Sequence, residues 1–352
     1  MLELRYGQRV MKFGKTPLKE AQGAILAHSM RFGDLALAKG RKLNRADINA
    51  LRAAGIDEVT AARLGINDVG EDAAAKRIAA ACAGKHISRD RAETGRVNLN
   101  AGKRGVLIYD RACLDRLNRV HEAVTCAGLG PGVLVEAGRM VATVKIIPFG
   151  VPEKIVSKCQ KVAGAKAPLL SVAPLRALKV GLIQTTVAKT SEKMLTKTAR
   201  VTAERVTFLG GRIVREVRMA HERGAIADAI SGFKRREADL IVVTGASAIA
   251  DRRDTVPAGI EMAGGRIAHF GMPVDPGNLL LLAYLADGRP VVGLPGCARS
   301  PKFNGFDLVL GRLFAGLSVD AADIMAMGAG GLLQEIKSRP SPREGEIFSR
   351  LF

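Results

Sequence analysis

A short hydroxyl-bearing turn, Thr244-Gly245-Ala246-Ser247, follows directly on the β-branched apolar run Leu240, Ile241, Val242 and Val243. Gly245 can take a positive φ and let a ligand approach the main chain, while Thr244 and Ser247 offer hydroxyls to phosphate oxygens. Asp254 comes next, behind Arg252 and Arg253 and ahead of Pro257, which predicts a carboxylate at the start of a helix beside two guanidinium groups. There it serves either as a group favoured by the helix dipole and neutralised by arginine, or as a hard oxygen ligand holding Mg²⁺ against a phosphate. Two glycine turns complete the set, Pro276-Gly277-Asn278 and Pro295-Gly296-Cys297, the second again after an apolar run. Turn formation accounts for both, and each leaves main-chain N–H groups open. Turns after the strands of an open α/β sheet gather at its carboxyl end, where amides and helix N-termini hold phosphate without side-chain charge. Cys297 is remote in sequence from His28, His86, His121, His221 and His269, so no Cys-His pair offers to activate it.

These turns need a framework, and the surrounding pattern supplies one. Strand Leu178 to Gln184, helix Thr190 to Leu209, strand Arg212 to Met219, helix Glu222 to Arg236 and strand Asp239 to Val243 follow one another. A short helix opened by Pro257 and closed by Gly264-Gly265 comes next, then strand Arg266 to Met272 and the apolar run Leu279 to Leu285. Strand Pro290 to Leu294 and a helical stretch from Pro301 to Phe314 complete the succession. Strands alternating with helices of this length predict right-handed crossovers and an α/β fold: a doubly wound, mostly parallel sheet covered on both faces, over residues 176–336.

The first half is more mixed and reads as smaller α+β units. Residues 1–70 form one unit, with Thr16 as an N-cap, Pro17 at the first helical position, and Leu18, Ala21, Ile25 and Leu26 as a helical stripe. A second helix there is capped by Asn44, turns Ile48 and Leu51 inward and stops at Gly55. In residues 71–175 an alanine-rich helix runs from Ala73 to Ala83, and Asp110 caps another carrying Leu114, Leu117, Val120 and Val124. Strands are expected over Val106 to Tyr109, Gly132 to Glu136 and Met140 to Ile147. Pro152, Gly164, Pro168 and Pro174 interrupt the pattern that follows and mark a junction between domains. Residues 337–352 are polar and proline-broken, a loose tail that also fits a linker to a further domain.

Composition narrows the classes. A chain of 352 residues with 47% hydrophobic content can bury two or three cores. No apolar run reaches the roughly 18 residues of a membrane helix, and Met1-Leu2-Glu3-Leu4-Arg5 lacks an apolar leader, so a cytoplasmic protein is expected. Five cysteines (Cys82, Cys113, Cys126, Cys159, Cys297) without C-x-x-C spacing read as reduced thiols, most of them buried. The formal charge of +20 attracts polyanions. Spread basic residues, 4% aromatics and the absence of Trp speak against nucleic acid and for a small anionic ligand.

In this order the turns resemble the molybdopterin-binding domain of molybdenum cofactor biosynthesis proteins of the MoeA and MogA types. That family's pattern is a strand into T-G-G-x-S, an Asp before a helix, then P-G-K-P, then L-P-G-N-P. Here it reads Thr244-Gly245-Ala246-Ser247, Asp254, Pro276-Gly277-Asn278-Leu279 and Leu294-Pro295-Gly296-Cys297-Ala298, across residues 176–316. Gly40 to Leu64 resembles a segment that accompanies the domain in MoeA-like proteins. The departures are Ala246 for the second glycine, Asn278 for the lysine and Cys297 for the asparagine. Loss of that lysine removes a cation that could hold molybdate or phosphate.

The resemblance implies a MoCF-like fold and a concrete chemistry. Molybdopterin is a pterin with a dithiolene and a terminal phosphate, which MogA-type domains adenylylate with MgATP and MoeA-type domains load with molybdate. Asp254 would then hold Mg²⁺, Thr244, Gly245, Ala246 and Ser247 would cradle phosphate, and Thr185 and Thr186 would line the same crevice with the 276–278 and 295–297 turns. Two rivals stay open: a CinA-type nucleotide pyrophosphatase, and a non-catalytic molybdopterin carrier serving a nucleotidyltransferase partner or domain. MoeA relatives are dimers, so a homodimer is expected on resemblance alone.

Overall fold

The computed structural model describes residues 11–33, 35–165 and 167–333, so the expected loose tail and the first ten residues lie outside the described part. The chain divides into two compact units, Met1–Ala173 and Pro174–Phe352. Among the described residues no helix is long and apolar enough to cross a membrane. All five cysteines are free; Cys82, Cys126 and Cys159 are buried, Cys113 is half-buried and Cys297 is exposed.

The first unit holds two separate cores. In one, strands Lys12–Pro17 and Ile25–Leu26 flank Glu58–Arg63 in an antiparallel sheet, over which Leu18, Leu26, Leu43, Ile48, Leu51 and Val59 are buried. Asn44 and Asp47 close a capping box on helix Arg45–Ala53, as its spacing predicts. The helix expected from Thr16 to Leu26 is instead a strand, the single turn Leu18–Ala21 and a second strand. Gly23, at φ +81°, ends that turn, and its N–H goes to Leu43 O.

The other core gathers Ala75, Ile78, Leu99, Leu107, Leu117, Val144, Ile146 and Val156. It joins helices Glu71–Cys82, Arg111–Asn118 and Glu153–Ala163 to an antiparallel sheet ordered Val124–Gly128, Met140–Ile146, Arg96–Ala101, Ile87–Arg89. Helix Glu153–Ala163 was not expected, because Pro152 and Gly164 read as interruptions. They are its two caps, proline in and glycine out. Asp110 caps Arg111–Asn118 as expected, but that helix ends before Val120, and Val124 opens a strand.

The second unit is built on one six-stranded sheet. Its strands are β1 (Lys179–Thr186), β2 (Arg212–Ala220), β3 (Leu240–Thr244), β4 (Arg266–Phe270), β5 (Leu281–Tyr284) and β6 (Pro290–Gly293). Its helices are α1 (Glu192–Phe208), α2 (Arg223–Gly232), α3 (Thr255–Met262), α4 (Gly305–Phe314) and α5 (Ala321–Met325). The spatial order is β2-β1-β3-β6-β5-β4. β1, β2, β3 and β6 are parallel neighbours, whereas β5 runs against both β6 and β4, so the sheet is mixed. Ile183, Ile241, Val243 and Val291 pack with Ile226 and Ile230 of α2 and Val256 and Ile260 of α3. Their strand neighbours Leu182, Val242 and Val292 point the other way and are equally buried, the signature of central strands without a solvent face.

Candidate functional site

Register decides which turns meet. Gln184 pairs with Thr244, Val243 with Gly293, Gly293 with Leu281, and Leu281 with Phe270. The segments after β3 and β6 and the segment before β5 therefore leave the sheet at one edge, the carboxyl rim of the parallel strands. β5 delivers its turn there from its N-terminal side because it runs antiparallel.

Around Gly245 the contacts are specific. The half-buried Arg299, in the 3-10 turn Gly296–Arg299, donates to Gly245 O at 2.6 Å and reaches Met194 Sδ at 3.1 Å. Desolvation pulls its guanidinium pKa down from the ordinary value, yet arginine stays charged at any working pH. This side chain ties the turn after β6 to the turn after β3. Gly245 is buried, and a Cβ there would lie 2.6 Å from Ser247 O, so the tight fold of the turn requires glycine.

Thr185 and His221 complete the lining. Thr185, buried at the end of β1, accepts the Ala246 N–H at 2.8 Å, and its Oγ1 lies 3.3 Å from Thr244 O. Its third neighbour is His221 Nδ1 at 2.8 Å. The other ring nitrogen, Nε2, lies 3.3 Å from Oγ of the exposed Ser247. His221 N–H donates to Thr186 O at 2.9 Å, which fixes the segment between β2 and α2 against β1.

The expected site residues separate into three groups. Gly245, Ala246 and Ser247 form the first turn, with Ser247 exposed. Thr244 is buried in the sheet with its hydroxyl toward Gln184 Oε1 at 3.5 Å, and Thr186 donates to Met219 O at 3.0 Å. Thr185 supports the first turn from beneath rather than facing solvent. These three threonines are engaged with protein groups.

Asp254 is the N-cap of α3. Its Oδ1 accepts the Thr255 N–H at 2.7 Å and its Oδ2 the Ala250 N–H at 3.1 Å. The neighbouring Arg253 pairs with Asp251 at 2.8 Å, and that hydrogen bond holds the Asp251 carboxyl below its usual range. Among the described residues no group of three or more His, Cys, Asp or Glu side chains is placed to hold a metal ion. Asp254 would thus offer a Mg²⁺ a single carboxylate, with a ligand phosphate and water completing its shell.

The 276–278 turn is braced against α4. Gly277, at φ +142°, sits so close to Gly305 that a Cβ would lie 2.7 Å from its nitrogen, and Gly305 N–H donates to Pro276 O at 2.8 Å. Asn278 is exposed, and its carbonyl accepts from Met272 N–H at 2.9 Å. Pro295 caps the 3-10 turn, whose residues Gly296 and Cys297 are exposed. Partial desolvation pushes the Cys297 thiol up, with the Asp275 carboxylate adding to it; the main-chain N–H groups of Cys297 and Ala298 counter this incompletely. Cys297 is thus a thiol at neutral pH rather than a ready nucleophile.

Sequence reasoning passed over Arg205, Arg299 and His221. Arg205 of α1 is buried and donates to Asp307, Ala298 O, Ser300 O and Lys302 O at 2.7–2.9 Å, which locks the chain between β6 and α4. Nothing in its local pattern separates it from the exposed arginines. His221 follows a strand directly, as the Thr244-Gly245-Ala246-Ser247 turn does, and that position was the available signal.

Residues 15–63, all in the first unit, match the model of a domain of unknown function, DUF8806. No curated protein matches the sequence. Among solved structures, a molybdenum cofactor biosynthesis protein from Pyrococcus furiosus matches at 15% identity over 88% of this chain and 66% of its own, TM-score 0.24. The match thus spans just under two thirds of that relative. A CinA protein of unknown function from Thermoplasma acidophilum matches at 15% over 35% of this chain and 90% of its own, TM-score 0.27. A molybdenum cofactor biosynthesis protein B matches at 13% over 39% and 87%, TM-score 0.26. Superpositions this loose carry no argument about activity.

Proposed function

We propose that the rim of the second unit binds the phosphate end of a molybdopterin-type ligand, as its nucleotide or as the free pterin, in molybdenum cofactor biosynthesis. The observation that carries the reading is the convergence of the T-G-A-S, P-G-N and P-G-C turns on one sheet edge, with Arg299 joining two of them. Small residues there allow close main-chain approach, and Ser247, His221 and Arg299 are polar groups of the size and chemistry a phosphate needs. In this reading the domain is a three-layer, doubly wound member of the MoCF-like class.

Within that role, a carrier is favoured over an adenylyltransferase or molybdate insertase. The observation that favours it is Asn278, which stands where the family pattern has a lysine, while each oxygen of Asp254 accepts one main-chain amide. The chain would hold the pterin for a nucleotidyltransferase partner or domain, with the homodimer of MoeA relatives as its expected assembly. Incubation of the 352-residue chain with molybdopterin and MgATP, with and without molybdate, followed by mass analysis of the retained ligand, tests this. Unchanged molybdopterin is expected. Adenylylated or molybdenum-loaded pterin would overturn the carrier assignment, and an empty protein would overturn the binding role itself.

A further inference from the structure

We propose that the first unit carries an anion site of its own, a cleft between helix Glu71–Cys82 and the edge strand Ile87–Arg89 that binds a small organic acid through Lys76, Arg89 and Arg91. The ligand class is a metabolite-sized polyanion bearing carboxylate or phosphate groups. This site is independent of the rim of the second unit and of any pterin.

Strand geometry puts the three cations together. In the antiparallel sheet Ile87 pairs with Ala101 and Arg89 with Leu99, and side chains paired in this way share a face. Leu99 and Ala101 are buried in the core that helix Glu71–Cys82 closes. Arg89 therefore lies on the helix side of the outermost strand, and Arg91 follows two residues on, at the spacing that keeps a side chain on the same face. The helix contributes Asp72, Ala73 and Lys76 from its first turns. Between the two walls is a cleft of about 480 Å³, with Ala73, Ala92 and Val97 as its apolar lining, a size suited to a small ligand.

Two carboxylates also border the cleft, and neither pairs with these cations. Asp90 stands between the arginines, so alternation turns it to the opposite face, where its Oδ2 accepts from Asn98 Nδ2 at 3.1 Å and its Oδ1 from Asn100 Nδ2 at 2.7 Å. Asp72 Oδ1 accepts the Gly95 N–H at 2.6 Å and pins the 93–96 turn to the start of the helix. Lys76, Arg89 and Arg91 have no ion pair or side-chain hydrogen bond among the described residues. The cleft thus holds three cations against two engaged carboxylates, and the groups it leaves uncommitted are donors. An inward charge on an edge strand deters pairing with another chain, and one arginine would do that. Two guanidinium forks, each able to grip a carboxylate or phosphate through two N–H groups, with an ammonium across from them, make an oxyanion receptor. The small apolar residues between them leave room for a short carbon skeleton.

Titration of the full chain at low salt with citrate, which offers only carboxylates, and with pyrophosphate, which offers only phosphate oxygens, tests the site by nitrogen–proton NMR. The amides of Ala92 and Gly95 report on the cleft and those of Gly245 and Ala246 on the rim, so the two are read separately. Saturable shifts at Ala92 and Gly95 are expected with at least one probe, and the probe that produces them identifies the acid group. Arg89→Lys and Arg91→Lys keep the charge and lose the fork, and each is expected to weaken binding at the cleft about tenfold with the rim signals unchanged. Lys76→Gln is expected to weaken it about two- to fivefold. All three side chains are exposed, so the variants should fold as the wild type does, with circular dichroism as the check. Absence of saturable shifts at Ala92 and Gly95 with both probes would overturn the site. Unchanged affinity in both arginine variants would also overturn it, by reducing the attraction to the general charge of +20.

Discussion

Two segments flank the Gly245 turn, and they differ in what their polar groups have left to give. Ahead of α3, Asp254 has the residue type and position that chemistry would favour, yet each of its oxygens already accepts a main-chain amide. Ahead of α2, His221 has one nitrogen fixed by a buried hydroxyl and the other beside an exposed serine. A side chain's availability is set by its uncommitted lone pairs and protons, not by its identity. The carboxylate builds the helix end; the half-buried imidazole links a buried threonine to an exposed serine.

The largest expected effect tests the frame beneath both segments. Arg205→Ala should destabilise the second unit by about 3–5 kcal/mol in denaturant unfolding, since it strands Asp307 and three carbonyls that the guanidinium satisfies. Thr185→Val separates the two segments more finely. It leaves the Ala246 N–H without its acceptor and His221 Nδ1 without its hydroxyl partner, at about 1–3 kcal/mol in the same measurement, and should weaken phosphate binding as well.

Asp254→Ala should cost about 1 kcal/mol as the loss of an N-cap, and Asp254→Asn only a few tenths, with ligand affinity unchanged in both. Full stability combined with lost binding in Asp254→Ala would reverse the comparison and make the carboxylate the ligand group. Smallest of all, Cys297→Ser should stay within about 0.5 kcal/mol of the wild type. Because the Cys297 thiol is pushed up, its thiolate fraction at neutral pH is reduced, and iodoacetamide should label it more slowly than free cysteine.

Regular alternation made the second unit legible. The expected helix Thr190 to Leu209 is Glu192–Phe208, and the expected strand Arg212 to Met219 is Arg212–Ala220. Long elements carry enough periodic signal to outvote single residues. Short elements do not. Leu18, Ala21 and Leu26 are buried as a helical stripe would have them, but they occupy one helical turn and a strand, and only tertiary pairing with Glu58–Arg63 selects that path. In the site, the turns were visible because glycine and proline mark turns directly. The side chains that join them were hidden, because Arg299 to Gly245 and Thr185 to His221 are contacts between residues 54 and 36 positions apart.

The opposed direction of β5 has a practical consequence. Since Phe270 and Leu281 face each other across adjoining antiparallel strands, residues 271–280 begin and end at one point on the sheet. That stretch is a hairpin connection held at Gly277 against Gly305, and its exposed Asn278 can be exchanged without re-threading a crossover. A chimaera carrying a lysine-bearing replacement at Asn278 would thus probe ligand choice on an otherwise unaltered scaffold.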